Sequence, residues 1–336
     1  MGSSITRSEI SLPDAPAIAG LRFRSIDLAV DAAAVAGLIN ATAVADAREF
    51  ALSAADVRND LEHQANFDLQ RDVLIAEIDG QMVGEAEGHV VVREGVAVYQ
   101  WDAFVHPDHR GHGIGRTLAH WVERRAREVA ASWTGPESHQ LGAWVDTNVP
   151  GGIRLLESEG YHQTRYGFTM LRQLSEPIPD AALPEGLEIR PVVEADHRRI
   201  WDADTEAFRD HAEAAVRSEE DFERWFGMPN IDTDLWRVAW AGDEVAGSVM
   251  TFVWPDENEI VGVKRGWLEH ISVRRPWRKQ GVATALIADA MRGLRDMGMT
   301  EALLGVDAKN PTGALQLYES LGFRRHRTGI SYRKSI

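Results

Sequence analysis

Residues 273–284 read VRRPWRKQGVAT, a basic run in which Gly281 stands just before a helical pattern. An apolar stretch at 268–273 precedes this run, and apolar residues at helical spacing follow it from Leu286. A glycine-containing turn between a strand and a helix gathers free backbone N–H groups at the positive end of the helix dipole. The run therefore predicts a binding site for a phosphate or pyrophosphate group.

The same pattern occurs a second time, 168 residues earlier in the chain. Residues 110–115 read RGHGIG and residues 278–283 read RKQGVA, so both have the form R-x-x-G-x-G/A. Neither run has the form of a P-loop or of the dinucleotide-binding fingerprint. A tight turn before a helix is the plainer interpretation of one copy, and two copies in matching context favour an anion site.

Three further pairs of segments repeat in the same order along the chain. They are NVPGGIRLLESEGY at 148–161 with NPTGALQLYESLGF at 310–323, then 78–84 with 241–247, and 22–24 with 188–190. We therefore predict two copies of one domain, at residues 21–173 and 187–336, with a proline-containing linker at 174–186. The order of strand and helix patterns in each copy predicts an α/β fold, an α+β mixed sheet with helices on both faces.

These motifs together resemble the GNAT superfamily of acyl-CoA-dependent N-acetyltransferases, twice over. The run at 273–283 resembles the pyrophosphate loop of that family, and the N-x-x-x-A-x-x-x-Y-x-x-x-G-F pattern at 310–323 resembles its later acyl-CoA helix. The resemblance covers nearly the whole chain and implies two tandem GNAT-like domains. It also implies that an amine attacks the thioester of acetyl-CoA directly, with which the absence of cysteine agrees.

The resemblance also assigns cofactor contacts. In the second copy the strand end would pair with the pantetheine arm, the loop N–H groups would hold the pyrophosphate, and Asn310 would help to bind the cofactor. These strand and loop residues are Ile271, Ser272, Val273, Arg278, Lys279, Gln280, Gly281, Val282, Ala283 and Thr284. Their counterparts in the first copy are Phe104, Val105, Arg110, Gly111, His112, Gly113, Ile114 and Gly115. No metal site is predicted.

Two residues of the second copy are the candidate catalytic groups. The resemblance implies that Tyr318 protonates the leaving thiolate. A base is also needed, because a protonated amine is not nucleophilic. Glu269 lies four residues before Val273, and strand positions four apart share a face, so we predict Glu269 as the base, with a water chain as the alternative. His270 would face the other side unless a bulge intervenes.

The two copies differ at both of these positions. By offset, Leu156 aligns with Tyr318 and Trp101 aligns with Glu269. We therefore expect the C-terminal copy to be catalytic, and the N-terminal copy to be structural or to bind acyl-CoA without turnover.

Among tandem members, the chain resembles the mycothiol synthase family, which acetylates a cysteinyl amino-sugar inositol. That family carries an acidic residue earlier on the strand, where this chain has Trp267, and Glu269 stands two residues later. This departure puts the identity of the substrate in question more than the reaction.

Composition narrows the functional class. The net charge of −16 disfavours nucleic acid as a partner, and there is no cysteine for a thiol nucleophile or a disulfide. We expect a cytoplasmic monomer or homodimer that does not associate with a membrane, because no secretory segment or membrane-length apolar run is evident. A small-molecule amine is the predicted acceptor. A protein or peptide N-acetyltransferase and a non-catalytic acyl-CoA-binding or sensing protein remain the alternatives.

Overall fold

The computed structural model describes residues 8–136, 138–210, 214–229, 231–310 and 313–336. The chain divides into two compact units. Unit 1 contains the chain up to Thr164 together with Ser218–Pro229 and Ile330–Ile336, and unit 2 contains the remainder.

The two halves of the chain carry the same elements in the same order, except that the second half has one extra helix. Those of the first half are β1 (Leu21–Arg24), α1 (Leu28–Ala45), α2 (Ala54–Glu62), β2 (Val73–Ile78), β3 (Gln81–Arg93), β4 (Val96–Val105), α3 (Ile114–Ser132), β5 (Ser138–Asp146), α4 (Pro150–Ser158) and β6 (His162–Gln173). Those of the second half are β7 (Glu188–Arg190), α5 (His197–Phe208), α6 (Glu219–Phe226), β8 (Arg237–Ala241), β9 (Glu244–Phe252), α7 (Pro255–Val261), β10 (Arg265–Val273), α8 (Val282–Asp296), β11 (Glu301–Asp307), α9 (Ala314–Ser320) and β12 (Arg324–Ser335). The extra helix is α7, which lies between β9 and β10.

Each unit has a mixed sheet. In unit 1, β1, β2, β3 and β4 pair antiparallel and β4 pairs parallel with β5. In unit 2, β7, β8, β9 and β10 pair antiparallel, β10 pairs parallel with β11, and β11 pairs antiparallel with β6. The predicted fold class, an α/β mixed sheet occurring twice, is confirmed.

Helices cover both faces of each sheet. In unit 2, α8 packs against β9 and β10 on one face and α5 packs against the same strands on the other. The buried positions of α8 include Val282, Ala285, Leu286 and Ala290, whose three- and four-residue spacing aligns them on one side of the helix. In unit 1, α3 and α1 pack against β3 and β4 in the corresponding way.

The units differ from the predicted bounds of 21–173 and 187–336. Residues of β6 from Arg165 onward belong to unit 2, where Gly167–Gln173 pair with β11, while the segment Ile330–Ile336 lies beside β5 in unit 1. Strand pairing, rather than the order of the repeats, therefore sets the boundary. The segment 174–186 is also more than a linker, since Ile178 and Leu183 pack on the hydrophobic core of unit 2.

Helix α1 corrects the expectation that no stretch reaches membrane length. Among the described residues, Leu28–Ala45 is long and apolar enough to cross a membrane by length and composition alone. Half of this stretch is buried inside the protein. Val35 and Ile39 lie in an apolar cluster with Val57 of α2, so the composition of α1 has a structural explanation in the core of unit 1.

The parallel strands separate before they end. Pairing between β10 and β11 joins Arg265–Trp267 to Glu301–Leu303, and β10 then continues to Val273 paired with β9. In unit 1, the β4–β5 pairing likewise ends at Trp101 and Ala143. Beyond these points one edge of β10 and of β4 has backbone groups that are not used in the sheet.

The division of the C-terminal residues between the two units predicts which unit each core substitution destabilises. Tyr332 is fully buried in the core of unit 1, whereas Phe323 is buried in the core of unit 2. We expect Tyr332→Ala and Phe323→Ala each to cost about 3 kcal/mol of stability, because each leaves a cavity. Hydrogen exchange should show faster exchange in α3 for Tyr332→Ala and in α8 for Phe323→Ala. The same pattern for both variants would contradict this division.

Candidate active site

The side chain of Arg278 holds the loop that follows β10. The Arg278 side chain donates from Nε to the carbonyl oxygen of Val273 at 2.8 Å and from Nη2 to that of Ala207 at 3.1 Å. It also donates from Nη1 to Oδ2 of Asp210 at 2.6 Å. The guanidinium therefore joins the end of β10 to the last turn of α5 and to Asp210 just after it, and its bonds are made within the protein.

Unit 1 repeats this clamp. Arg110 donates from Nε to the carbonyl oxygen of Val105 at 3.1 Å, and from Nη1 and Nη2 to the carboxylate of Asp46 at 2.6 and 2.8 Å. The conserved geometry gives the arginine of each R-x-x-G-x-G/A run a role in shaping the loop. Because the arginine side chains are bonded within the protein, the backbone N–H groups of the loop are the ones left to bind a phosphate.

The start of α8 presents such groups. Lys279 and Gly281 have φ of +60° and +90°, and the first helical hydrogen bond runs from the Ala285 N–H to the Gly281 carbonyl at 3.0 Å. The N–H groups of Val282, Ala283 and Thr284 therefore lack acceptors in the helix. No described atom lies within 4 Å of the position that a Cβ on Gly281 would take. Free N–H groups beside open space are what an anion-binding cradle requires.

The start of α3 has the same backbone but is covered. Gly111 and Gly113 have φ of +79° and +95°. A Cβ on Gly113 would lie 3.3 Å from Pro16, and the hydroxyl of Thr117 donates to the carbonyl oxygen of Asp14 at 3.0 Å. The N-terminal segment thus lies over the first loop, which the repeat pattern did not predict.

The Asp14 carboxylate holds this segment in place. It bonds to Nδ1 of His120 at 2.7 Å and accepts from Arg124 at 3.1 Å. Burial alone would raise the pKa of Asp14, but these two partners outweigh it and lower the pKa below its ordinary value. The ionised form of Asp14 is therefore favoured beside α3.

A β-bulge in β10 changes which residues share a face. Glu269 pairs with Met250 and Ser272 pairs with Ser248, so two residues of β10 oppose one of β9. His270 lies in this bulge with φ of +44°. The bulge removes the face-sharing between Glu269 and Val273 that the spacing predicts, and places Glu269 on the same face as Ser272.

The bulge also changes the correspondence between the copies. Gly247 pairs with Val273 as Gly84 pairs with Val105, at an offset of 163 in β9 and β3. With that offset, Met250 corresponds to Glu87, whose partner on β4 is Asp102. The counterpart of Glu269 in unit 1 is therefore Asp102, and the alignment with Trp101 was wrong by the one residue of the bulge.

Glu269 lies on the face of β10 that also carries Trp267. The indole Nε1 of Trp267 donates to Oε1 of Glu257 at 2.8 Å. Burial raises the pKa of Glu269 against the opposing influence of His270. Burial also raises the pKa of Glu257, to which the nearby Glu269 contributes. Glu257 was not predicted, because it approaches from α7 and its sequence position carries no motif.

The bulge brings a second polar group to this face. Nδ1 of His270 lies 2.8 Å from Oδ2 of Asp204, and Arg217 donates to the same oxygen at 2.7 Å. Burial of Asp204 alone would raise its pKa, but His270 and Arg217 outweigh this and lower it. These residues are far apart in sequence and meet only because of the bulge, so the sequence could not show their association.

Tyr318 lies on the other face, in the core cluster that also contains Leu268 and Phe323. Burial raises its pKa, so the hydroxyl stays protonated at neutral pH. The Phe323 N–H donates to the Tyr318 carbonyl at 3.0 Å, as the Tyr161 N–H does to Leu156 in unit 1. Leu156 is thus the structural counterpart of Tyr318. Asn310 precedes α9, with its N–H donating to the Asp307 carbonyl at 3.1 Å.

Known proteins share this arrangement. The model of the acetyltransferase (GNAT) family matches residues 42–144 and 197–323, more than half of the chain. The chain belongs to the GNAT acetyltransferase family. It is therefore an acetyl-CoA-dependent N-acetyltransferase with two tandem GNAT regions, and the predicted family, enzyme class and acyl donor are confirmed.

Relatives within the GNAT family include curated mycothiol acetyltransferases. That of Geodermatophilus obscurus is 30% identical over 297 residues, covering 85% of this chain and 91% of the relative. That of Salinispora arenicola is 32% identical over 260 residues, covering 76% of this chain and 79% of the relative.

Solved GNAT structures have the same fold over nearly the full length. A GCN5-related N-acetyltransferase from Sphaerobacter thermophilus is 27% identical with a TM-score of 0.68, covering 97% of both chains. A tandem GNAT protein from the clavulanic acid biosynthesis pathway has a TM-score of 0.65 at 15% identity, covering 94% of this chain and 98% of that one. At that identity the second likeness shows the fold alone.

The open cradle gives a direct test at Gly281. We expect Gly281→Ala to weaken acetyl-CoA binding at least about tenfold, because its Cβ enters the cradle and its positive φ adds strain of about 1 kcal/mol. Gly298→Ala is the matched control, since Gly298 has φ of +84° and open surroundings at the other end of α8. Calorimetry should show weakened binding only for Gly281→Ala. Equal affinities for the two variants would contradict the site.

Proposed function

We propose that unit 2 transfers the acetyl group of acetyl-CoA to a primary amine of a small molecule. The observation that carries this proposal is the contrast between the two loops. The start of α8 is open beside the separated strands β10 and β11, whereas Asp14 and Pro16 lie over the start of α3. Unit 2 also has Tyr318 where unit 1 has Leu156.

The chain's own groups suit acetyl-CoA. The N–H groups of Val282, Ala283 and Thr284 are oriented to bind the pyrophosphate, with the positive end of the α8 dipole behind them. The unpaired edge of β10 at 271–273 would hold the pantetheine arm, with Asn310 near the start of α9. When bound, acetyl-CoA supplies an activated thioester carbonyl for attack by the amine.

Two side chains are placed to move protons. Glu269 would accept the proton of the incoming ammonium group, and a base of raised pKa is better matched to that task at neutral pH. Tyr318 would donate its hydroxyl proton to the leaving sulfur, since burial keeps it protonated. Strand alternation puts Glu269 and Leu268 on opposite faces of β10, and Tyr318 shares an apolar cluster with Leu268, so the proposed base and the proposed acid lie on opposite faces of the sheet.

The acceptor side is acidic, which suits a cationic amine. Glu257 places a carboxylate at the indole of Trp267, the position at which the mycothiol synthase pattern has its own strand carboxylate. We therefore propose that α7 supplies in this chain the charge that the relatives carry on the strand. Relatives named mycothiol acetyltransferases favour a small-molecule acceptor over a peptide.

Removal of the Tyr318 hydroxyl tests the acid. We expect Tyr318→Phe to lower kcat about 100-fold with little change in the KM for acetyl-CoA, because proton donation acts in the transition state. Tyr332→Phe removes the hydroxyl of another buried tyrosine, which bonds Gln163 and Glu157 in unit 1. Steady-state CoA release should fall for Tyr318→Phe only. Unchanged turnover in that variant would show that Tyr318 is not the acid.

The pH profile tests the base. Glu269 must be ionised to accept a proton, so kcat/KM should decline as the pH falls through the raised pKa of Glu269. We expect Glu269→Gln to lower the rate about 100-fold and to abolish this decline of kcat/KM at low pH. Glu259→Gln, at an exposed position on α7, should keep the normal rate and the same pH profile. If kcat/KM of Glu269→Gln still declines at low pH, the base is another group, and Asp204 and His270 on the same face of β10 are the next candidates.

A further inference from the structure

Three carboxyl groups share one face of the unit 1 sheet. Glu85 and Glu87 stand two residues apart on β3, so they point to the same side, and Glu87 is paired directly with Asp102 of β4. Helix α1 packs against both strands on this face, where Phe104 joins its apolar cluster. The three acids are therefore grouped beneath α1, within unit 1.

The carboxyl group of Glu85 is buried without a hydrogen-bond partner among the described residues. The residue is 1% exposed, and neither carboxyl oxygen has a hydrogen-bond partner. Burial raises the pKa of Glu85, and the neighbouring Glu87 and Asp102 raise it further. Burial also raises the pKa of Asp102, and burial together with Asp102 and Asp60 raises the pKa of Glu87 to about 8. The empty cluster therefore favours protonated carboxyl groups, and a cationic group bound beside them would stabilise their ionised form and give Glu85 a hydrogen-bond partner.

The cations around the cluster are engaged elsewhere. Arg48, which faces Asp102, donates to Asp146 at 2.7 Å. Arg224 of α6 lies 3.9 Å from Asp60 and 3.7 Å from Asp221. The titratable and charged neighbours on the packed elements are Asp60 and His63 of α2 and its C-cap, Asp221 and Arg224 of α6, His89 and Arg93 of β3, and Arg48. None of them donates a hydrogen bond to Glu85.

The position of the cluster has a counterpart in unit 2. Asp102 corresponds by strand register to Glu269, on the face where the amine is proposed to bind. Unit 1 lacks the other half of the chemistry, since Leu156 replaces the tyrosine and Pro16 lies over the loop. Unit 1 therefore keeps a carboxyl group at the position of the proposed base and lacks the tyrosine proposed as the acid.

We propose that unit 1 binds a small cationic amine through Glu85, Glu87 and Asp102 and does not acetylate it. As the ammonium group binds, protonated carboxyl groups of the cluster would release their protons to solvent, and the ammonium N–H groups would donate to the resulting carboxylate oxygens, including those of the unpartnered Glu85. An organic cation fits better than a metal ion, since no group of three His, Asp or Glu residues in the described part of the chain is arranged to hold a metal. Only the correspondence between Asp102 and Glu269 rests on the proposed function.

The test uses 1,4-diaminobutane as the probe and uncharged 1,4-butanediol as its matched control. Calorimetric titration of the full chain should show saturable binding of the diamine and none of the diol. Because amines also bind near Glu269, the titration is repeated in Glu269→Gln, where the unit 1 site should persist. In that background we expect Glu87→Gln and Asp102→Asn each to weaken binding at least about tenfold. Glu62→Gln, at an exposed position on α2, should leave the affinity unchanged.

Three results would overturn the site in unit 1. They are no diamine binding at millimolar concentration, binding lost in Glu269→Gln, and binding unaffected by both Glu87→Gln and Asp102→Asn. Glu85→Gln, an uncharged isostere, serves as a third variant if one of the others does not fold. The turnover of Tyr318→Phe tests unit 2 separately, so failure of the unit 1 site and failure of the proposed function give different results.

Discussion

The parallel strands β10 and β11 stay hydrogen-bonded only from Arg265 to Trp267 before they separate. Every group of the proposed site is arranged around that separation. It leaves one edge of β10 unpaired in the strand that leads to the free N–H groups of α8. The Arg278 clamp keeps this geometry fixed by joining the end of β10 to Asp210 and Ala207.

Unit 1 has the same loop conformation and the same arginine clamp. The loop and its clamp are therefore properties of the repeated fold rather than of one active site. What separates the copies is what surrounds that backbone. Pro16 lies over the loop at Gly113 in unit 1, whereas the space beside Gly281 in unit 2 is open. Unit 1 also has Leu156 at the position of Tyr318. The two units therefore share the scaffold, and they differ in these side chains and in the N-terminal segment, on which the proposed assignment of acetyl transfer to unit 2 rests.

The sequence predicted the repeats, both loops, the mixed sheets and the position of Tyr318 on a helix, because local patterns determine those features. It did not predict the β-bulge at His270, since register depends on pairing with β9. One inserted residue moved the counterpart of Glu269 from Trp101 to Asp102. Glu257 and Asp204 likewise reach the site from other elements, and the boundary at Thr164 follows from strands paired outside their own repeat.

The most direct measurement is amide hydrogen exchange with and without acetyl-CoA. Binding in the strand gap of unit 2 predicts slower exchange at 282–284, where the free N–H groups of α8 would be bonded to the pyrophosphate, and along 268–273 of β10. The equivalent residues at 114–116 in unit 1 should not change, because Asp14 and Pro16 lie over them. Protection at 114–116 with none at 282–284 would contradict the assignment of acetyl transfer to unit 2.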